Sequence, residues 1–468
     1  MRAICAIVAS LMLSGNTFAD VINVPADYPI IQEAIDASSD GDEIVVAPGT
    51  YTSTQDGHVV DMKGKAVTLR ASGTPEETII DGENARRGIA FFNGETDATV
   101  IEGFTITNGN ATWYDYDGNG FENVWEDEGG GVYFYQSNPT ILNCTIERNT
   151  ADWGGGIYSL LSTPNITGCT IENNSSDYAG SGICCYYSSP VISDCTISDN
   201  LCNGLGGGIH CHNKSNPDII NCTIVRNTAD HGGGVSCYEN SNPVITGCTI
   251  ESNTADSGGG ISCYGSNPSI SESMIQLNTA NEEGGGITCY EYSSPTLTDC
   301  TIQNNTAQDG GGGISTLSGS ATISGCMILG NTADEGGGIS CFYSSLTISG
   351  CTIKDNMALI GAGIYCYDSN PTITTCEIAS NTGNYGSGIY HAFSNSILSD
   401  TIVCGNDPNQ IYGFWTDDGW TLLWDVCDDC NANGVPDEQD ILDGTSTDVD
   451  NDGIPDDCEY DCDGDGTP

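Results

Sequence analysis

Apolar and polar positions along this chain alternate in short bursts. In NPTILNCTIERNTADWGGGIYS, which starts at Asn138, the segments TIL, CTI and GIYS place β-branched or apolar residues two apart, and each burst breaks at a polar residue or a glycine. Period two over so few residues predicts strands, since a helix would need apolar positions three and four apart over a longer run. The unit recurs through most of the chain. A cysteine after its second burst keeps the register at Cys144, Cys169, Cys195, Cys222, Cys248, Cys300, Cys326, Cys351 and Cys376, with Ser273 in the sixth place, at intervals of 25 to 27 residues. A period of that size means that each repeat is one supersecondary unit, burying its apolar face only against its neighbours. Three short strands joined by turns make one coil of a parallel β-helix.

Coils stacked about 4.8 Å apart bring equivalent residues into ladders along the axis. Cys and Ile of CTI share one face, as do Ile and Cys of GISC, and that face must be the interior. The Asn ladder reads Asn149, Asn174, Asn200, Asn227, Asn253, Asn278, Asn305, Asn331, Asn356 and Asn381. Always just after a strand, these side-chain amides are placed to satisfy turn backbone and one another. The glycine runs, such as 154–156 and 258–260, permit backbone angles or close approaches that a Cβ would forbid. A phosphate cradle is not indicated, because no Lys follows and no helical pattern begins there.

The combination I-x-x-N followed by GGGI, as in Ile146 to Asn149 and Gly154 to Ile157, resembles the polymorphic outer-membrane-protein repeat. That repeat has Phe where this chain has Ile and commonly Ala at the third glycine. The resemblance covers residues 103–406 and implies a right-handed parallel β-helix of the pectin-lyase-like kind, displayed outside the cell, without implying a reaction. The opening of the chain is also similar to the start of many pectin-lyase-like proteins. Residues 20–102 read as an N-terminal helical cap and the first coils, with Asp27 expected to cap a short helix, Pro29 in its first turn, and Ile31, Ala34 and Ile35 at helical spacing.

Charge changes the picture at the ends. The chain carries 64 acidic and 10 basic side chains, a formal net charge of −54. Such a balance argues against nucleic acid and anionic membrane as partners and favours cations. Eighteen of the acids fall between Asp417 and Asp465, a stretch without Lys or Arg. Residues 1–19, with Arg2, an apolar run and small residues at Thr17 and Ala19, look like a secretory signal, so the mature chain is expected to be secreted or on the cell surface. Export would permit disulfides among the 24 cysteines. Parallel Cβ vectors between in-register neighbours suit that bond poorly, so the two cysteine columns read as buried thiols. The second column is Cys185, Cys211, Cys237, Cys263, Cys289, Cys341 and Cys366.

Three acidic segments have the oxygen spacing that Ca²⁺ requires. Residues 111–128 form an insert in the first regular coil. Within it Asp115, Asp117, Asn119, Asn123 and Glu126 take loop positions 1, 3, 5, 9 and 12, with Phe121 at the carbonyl position. Residues 407–426 are aromatic-rich, with Trp415, Trp420 and Trp424, and are expected to cap the far end. Beyond them, 427–468 read as calcium-binding repeats. Asp429, Asn431, Asn433, Val435, Asp437 and Asp440 make one loop, Asp448, Asp450, Asp452, Ile454, Asp456 and Glu459 a second, and Asp461, Asp463 and Asp465 begin a third, which is expected to be truncated. These repeats resemble thrombospondin type 3 and dockerin-like repeats, although their spacing matches no paired dockerin.

Candidate chemistry is sparse. A β-eliminating lyase needs a base beside the sugar α-proton, yet the repeats hold only Arg148, Lys214, Arg226 and Lys354, of which Arg148 and Arg226 share a column three coils apart. A hydrolase needs paired carboxylates. Asp152 beside Asp177 and Asp230 beside Asp256 are the candidates, each pair one coil apart, and the same residues also suit a turn. An outward aromatic column, in which Tyr186, Tyr238, Tyr264 and Tyr290 stand, could stack sugar rings or simply stabilise itself. The sequence therefore reads as an all-β, right-handed parallel β-helix solenoid with a C-terminal calcium-loop tail. Its expected role is a calcium-binding, glycan-binding surface or adhesion module, the alternative being a polysaccharide lyase or glycoside hydrolase acting on acidic polysaccharide.

Overall fold

In the computed structural model, the described residues are 19–53, 57–111, 127–424, 427 and 437–447. The chain winds as a parallel β-solenoid. One sheet takes a single strand from each turn and runs to 15 strands, from Gly49–Tyr51 to Leu422–Trp424. A second sheet of 28 strands takes two per turn, such as Ile157–Leu160 and Asn165–Thr167, and its two rows merge in the 11-residue strand Ile389–Ser399. Short strands of three- and five-strand sheets line the remaining side. The strands pair parallel with their equivalents one repeat away, for example Ile261↔Ile287 and Cys263↔Cys289, and the register shifts only within Thr150–Trp153 against Ser175–Ala179 and Ile389–Ser399 against Ile411–Asp417 among the described residues.

The interior is built from files. Ile146, Ile171, Ile197, Ile224, Ile250, Ile275, Ile302, Ile328, Ile353 and Ile378 are fully buried, and one hydrophobic cluster runs from Val24 to Val403. Each such side chain contributes roughly 1.5–3 kcal/mol by burial, which explains why the register cannot slip by one residue. Apart from the Cys404–Cys427 disulfide, the described cysteines are buried free thiols. They fill core space and bond weakly to carbonyls of the preceding coil, as Cys248 Sγ does to Ile219 O at 3.4 Å. Burial pushes the Cys144 thiol up to about 11.

The Asn ladder runs through the core edge and extends one step further than the regular repeats, to Asn406. At each step an Oδ1 accepts from the backbone N–H and the Nδ2 of the Asn before it, while its own Nδ2 donates to an Ile carbonyl. For Asn278 these bonds are 2.9 Å from Asn253 N, 3.0 Å from Asn253 Nδ2, and 2.9 Å to Ile250 O. The ladder starts at Gly109 N, which donates to Asn149 Oδ1, and ends on Gln410 Oε1. The residue before each Asn turns the chain through positive φ, Arg148 at 53°, Arg226 at 55° and Leu277 at 56°. The glycine triplet is forced by close approach. A Cβ on Gly259 would lie 2.5 Å from Thr279 O, and one on Gly260 2.5 Å from Gly286 O.

Helix α1 (Ile31–Ala37) buries Ile31, Ala34 and Ile35 in the core cluster, on the spacing expected. Its start differs from the expected one. Ile30 is the N-cap and has no side-chain cap bond, whereas Asp27 accepts bonds from the backbone and side chain of Asn23. An aspartate within reach of a local turn satisfies that turn first. At the far end, Ile411–Asp417 and Leu422–Trp424 continue the two sheets by pairing with Ile389–Ser399 and Ile402–Cys404. Trp415 packs against the core, while Trp420 is 84% exposed. Residues 1–18, the expected leader apart from Ala19, lie outside the described residues.

A candidate glycan groove on the outer face

The strands that follow the glycine triplet carry alternate side chains outward, and parallel register turns these into two columns. The inner column is a floor: His210, Ser236, Ser262, Thr288, Ser315 and Ser340 are neighbours in successive coils, all buried. At both ends it becomes bulky, with Tyr133, Tyr158 and Cys184 before His210 and Tyr365, Tyr390 and Tyr412 after Ser340. The outer column holds the aromatic residues. Tyr238 stacks on Tyr264 with ring centroids 4.7 Å apart, and Tyr290 follows in register.

The opposite wall comes from the residue just before each glycine triplet. This column reads Glu128, Trp153, Ala179, Leu205, His231, Ser257, Glu283, Gly310, Glu335, Ile360 and Tyr385. Between wall and aromatic column lies a cleft of about 420 Å³, lined by Leu205, His231, Ser236, Tyr238, Ser262, Tyr264 and Tyr290. Three of the four tyrosines singled out by sequence therefore share one cleft. The fourth, Tyr186, belongs to a cluster with Trp153, Tyr187 and His212.

The wall carboxyls are the groove's chemistry. Glu283 accepts a bond from Ser315 Oγ at 3.3 Å, and burial raises its carboxyl above the usual range, with Asp309 and Glu282 adding repulsion. Burial likewise raises Glu335, reinforced by Asp334, Asp309 and Glu283. The Tyr290 phenol is raised by burial beside Glu283. Nearer the N-terminus, Glu128 is 3% exposed, and burial pushes it up to about 8 against the pull of Arg87 and the Tyr158 hydroxyl. Arg87 donates from Nε to Glu128 O at 2.7 Å and lies 5.1 Å from the Tyr133 ring centre. His210, beneath Trp153, has neither ring nitrogen hydrogen-bonded, and burial lowers it to about 3.

The sequence-derived carboxylate pairs occupy the next column out. Asp152 is half-buried and raised by burial and by Asp177. Asp230 and Asp256 are exposed and stacked, with Asp256 N donating to Asp230 O at 2.9 Å. All four flank the groove rather than line it, while Glu128, Glu283 and Glu335, one residue later in the repeat, face it. The signal for these was an acid placed directly before GGG, in DEGGG twice and EEGGG once. Arg87 was missed because it precedes the regular repeats. Arg148 pairs with Glu147 at 2.6 Å, and Arg226 with Asp199 at 2.6 Å one coil below, so both are committed to turns.

Of the expected calcium ligands, Asp437 and Asp440 stand on helix α2 (Asp437–Asp443). There Asp440 is 1% exposed and accepts a bond from Thr445 Oγ1 at 2.7 Å. Asp115, Asp117, Asn119, Phe121, Asn123, Glu126, Asp429, Asn431, Asn433, Val435 and the expected ligands from Asp448 to Asp465 lie outside the described residues. Among the described residues no group of three or more His, Cys, Asp or Glu is placed to hold a metal ion. No described helix is long and apolar enough to cross a membrane.

Comparison with known proteins bears on the fold. The family described as right handed beta helix region matches residues 44–228, 193–328 and 233–403. No curated protein matches. Among solved structures the chain is similar to a mannuronic acid specific polysaccharide family 6 lyase from human gut microbiota, at 11% identity and a TM-score of 0.41, covering 86% of this chain and 91% of that one. It is also similar to the A-module of the mannuronan C-5 epimerase AlgE4 of Azotobacter vinelandii, at 15% identity and 0.35, covering 84% and 92%. A third likeness is to the tailspike of E. coli bacteriophage HK620, solved with a pentasaccharide, at 12% identity and 0.34, covering 81% and 71%. These are distant likenesses of chain path.

Proposed function

This chain belongs to the right-handed β-helix family, and on that frame we propose that it is an exported surface or adhesion module that binds a glycan chain along the outer groove. The observation that carries the reading is the alignment of three surfaces along one axis: an aromatic column, a floor of small hydroxyls, and a wall of carboxyls. Sugar rings present apolar faces to stack on aromatic side chains and hydroxyls to bond with small polar ones, and a groove parallel to a solenoid axis suits an extended polymer. Repeats of nearly equal length leave few loops over it.

Export rests on the leader-like residues 1–19, and calcium on the oxygen spacing of 115–126 and of 429–465. Asp115, Asp117, Asn119, Asn123 and Glu126 would form one site, and the tail loops the others, with the metal holding acidic chain that would otherwise repel itself. In these loops calcium organises structure rather than taking part in a reaction.

The test is retention of the purified mature chain on a panel of neutral and acidic polysaccharides, with and without calcium, compared with Tyr264→Ala. Retention on at least one polymer, weakened at least tenfold by Tyr264→Ala, is the expected result. Equal retention of both proteins would refute the groove as the binding surface.

A further inference from the structure

The second cysteine column is an unbroken file of soft donors inside the solenoid. Cys185, Cys211, Cys237, Cys263 and Cys289 stand in register on successive coils, each a free thiol and fully buried. In the first column the thiols bond carbonyls, as Cys222 does Ile192 O at 3.5 Å and Cys248 does Ile219 O at 3.4 Å. In the second, the side-chain partners of Cys211, Cys237 and Cys263 are the thiols one coil before and one coil after. Thr316 ends the file and is occupied, donating to Ser340 O at 3.3 Å. Ser159 heads it, one coil before Cys185, fully buried and with no hydrogen-bond partner for its hydroxyl among the described residues. A buried hydroxyl left unpaired is costly, so the head of the file holds bonding capacity that the folded chain does not use.

Parallel Cβ vectors, which suit a disulfide poorly, suit a two-coordinate metal bridge. The sheet sets sulfurs of neighbouring coils about 4.8 Å apart, so a cation midway lies about 2.4 Å from each, close to the roughly 2.3 Å of a zinc–thiolate bond. The Cβ–S bonds run across the axis and the S–metal bonds would run along it, which bends each sulfur near a right angle, as thiolates ordinarily are. Thiolate donors select soft ions of the Cu(I) type. Charge selects further. Burial and the neighbouring thiols hold Cys237 and Cys263 well above the usual thiol range, because a lone thiolate in the core is disfavoured. A monovalent cation that replaces one thiol proton leaves the file neutral and can do so in every space. A divalent ion stays neutral only with two ionised thiols to itself, so it could fill alternate spaces at most.

We propose that the file from Cys185 to Cys289 binds soft monovalent metal ions of the copper(I) and silver(I) class, one in each of its four spaces, held linearly between two sulfurs. Each ion forms two S–metal bonds as one S–H bond breaks. The displaced proton leaves to solvent, and no electron is transferred. Five thiols and four ions leave one proton in the file, carried by an end thiol, and at Cys185 that end faces the Ser159 hydroxyl. A linear site needs two ligands, so it requires no convergence of three or more groups. Entry follows local opening of the coils, and a formal net charge of −54 concentrates cations around the chain. The file lies inside the solenoid, so the inference stands apart from the glycan reading.

The experiment takes the full chain and its Cys237→Ser, Cys289→Ser and Cys248→Ser variants. Serine already stands in both files, at Ser159 and Ser273, so the exchange suits the fold. Silver(I) is the probe, because it keeps its oxidation state on meeting a thiol. Accessible thiols are blocked with iodoacetamide, the protein is warmed with silver nitrate in chloride-free buffer until uptake is constant, and loosely held ions are washed off with free methionine. Retained silver is then counted by mass spectrometry, and its neighbours are read by X-ray absorption. The file is expected to hold four ions. Cys237→Ser, which breaks two spaces, should retain two fewer than the wild type, Cys289→Ser one fewer, and Cys248→Ser, in the other column, the same number. Each ion should show two sulfurs at about 2.4 Å. No retained silver, an equal loss in Cys248→Ser and Cys237→Ser, or three or more sulfurs around each ion overturns the proposal.

Discussion

Replacing Asn278 by Leu isolates what the internal amide ladder contributes. Asn278 is fully buried. Its side chain accepts from Asn253 N and Asn253 Nδ2 and donates to Ile250 O and, at 3.0 Å, to Asn305 Oδ1. Leu supplies none of these bonds. It leaves three groups without partners: one backbone N–H, one amide N–H and one carbonyl. Asn305 Oδ1 still accepts from the backbone N–H of residue 278. At roughly 1–3 kcal/mol for each buried group left unpaired, the local cost is about 3–6 kcal/mol once some relaxation is allowed. Leu also branches at a crowded position, since a Cβ on Gly260 would lie 3.1 Å from Asn278 Nδ2 and 3.2 Å from the Ile275 Cγ2 beside it, so apolar gain does not offset the loss.

In a solenoid this cost is local, because each coil touches only its neighbours. Hydrogen exchange should therefore show the backbone amides of 250–305 losing protection by a factor of about 10²–10⁴, with coils 144–200 and 351–404 unchanged. Met327→Thr, at a position 46% exposed in the outward threonine column, serves as the control and should change exchange little. If Asn278→Leu shifted protection at 250–305 by less than tenfold, or shifted all coils equally, the ladder would not be the local clamp described.

Leu277, held at φ 56° and 50% exposed, should be improved by Gly, since the same turn carries Gly330 elsewhere, and a gain of about 1 kcal/mol is expected in urea unfolding. His210 has a folded-state pKa lowered to about 3 by burial and by His212, from 6.5. The unfolded chain thus binds the proton first, and the contribution of neutral His210 is full above pH 6.5 and declines as pH falls toward 3, by about 1.4 kcal/mol per unit. His210→Ser, the residue found at Ser236 and Ser262, should flatten the urea midpoint between pH 6.5 and 4, and an unchanged slope would refute the assignment. For calcium, isothermal titration is expected to show sites that fall in number with Asp448→Ala and, separately, with Asp115→Ala, and identical titrations would remove those loops. Reduction of Cys404–Cys427, which closes 23 residues of sequence separation, should lower the stability of the last turn by about 2–4 kcal/mol, read by exchange at 402–424.

Repeats at 25 to 27 residues, with Ile, Cys and Asn at fixed offsets, were enough to determine the solenoid, its interior files and the role of the amide ladder. The reason is that a parallel coil one repeat long stacks every residue on its equivalent, so sequence period becomes spatial neighbourhood without further information. The same rule placed Tyr238, Tyr264 and Tyr290 in one outward column. What the period could not convey is which side of a turn faces which. Asp230 and Asp256 are as regular as Glu283 and Glu335, and a one-residue offset sends the first pair to open solvent and the second toward the floor. That choice depends on the backbone angles entering the glycine triplet, where Gly258 and Gly284 take φ near 67°. Likewise Gly310 and the buried, unpartnered Ser340 hydroxyl come from adjacent coils, and only stacking sets a position without a side chain beside that hydroxyl. Each repeat by itself reads as an ordinary variant of the unit, and only stacking them in three dimensions makes those variants neighbours.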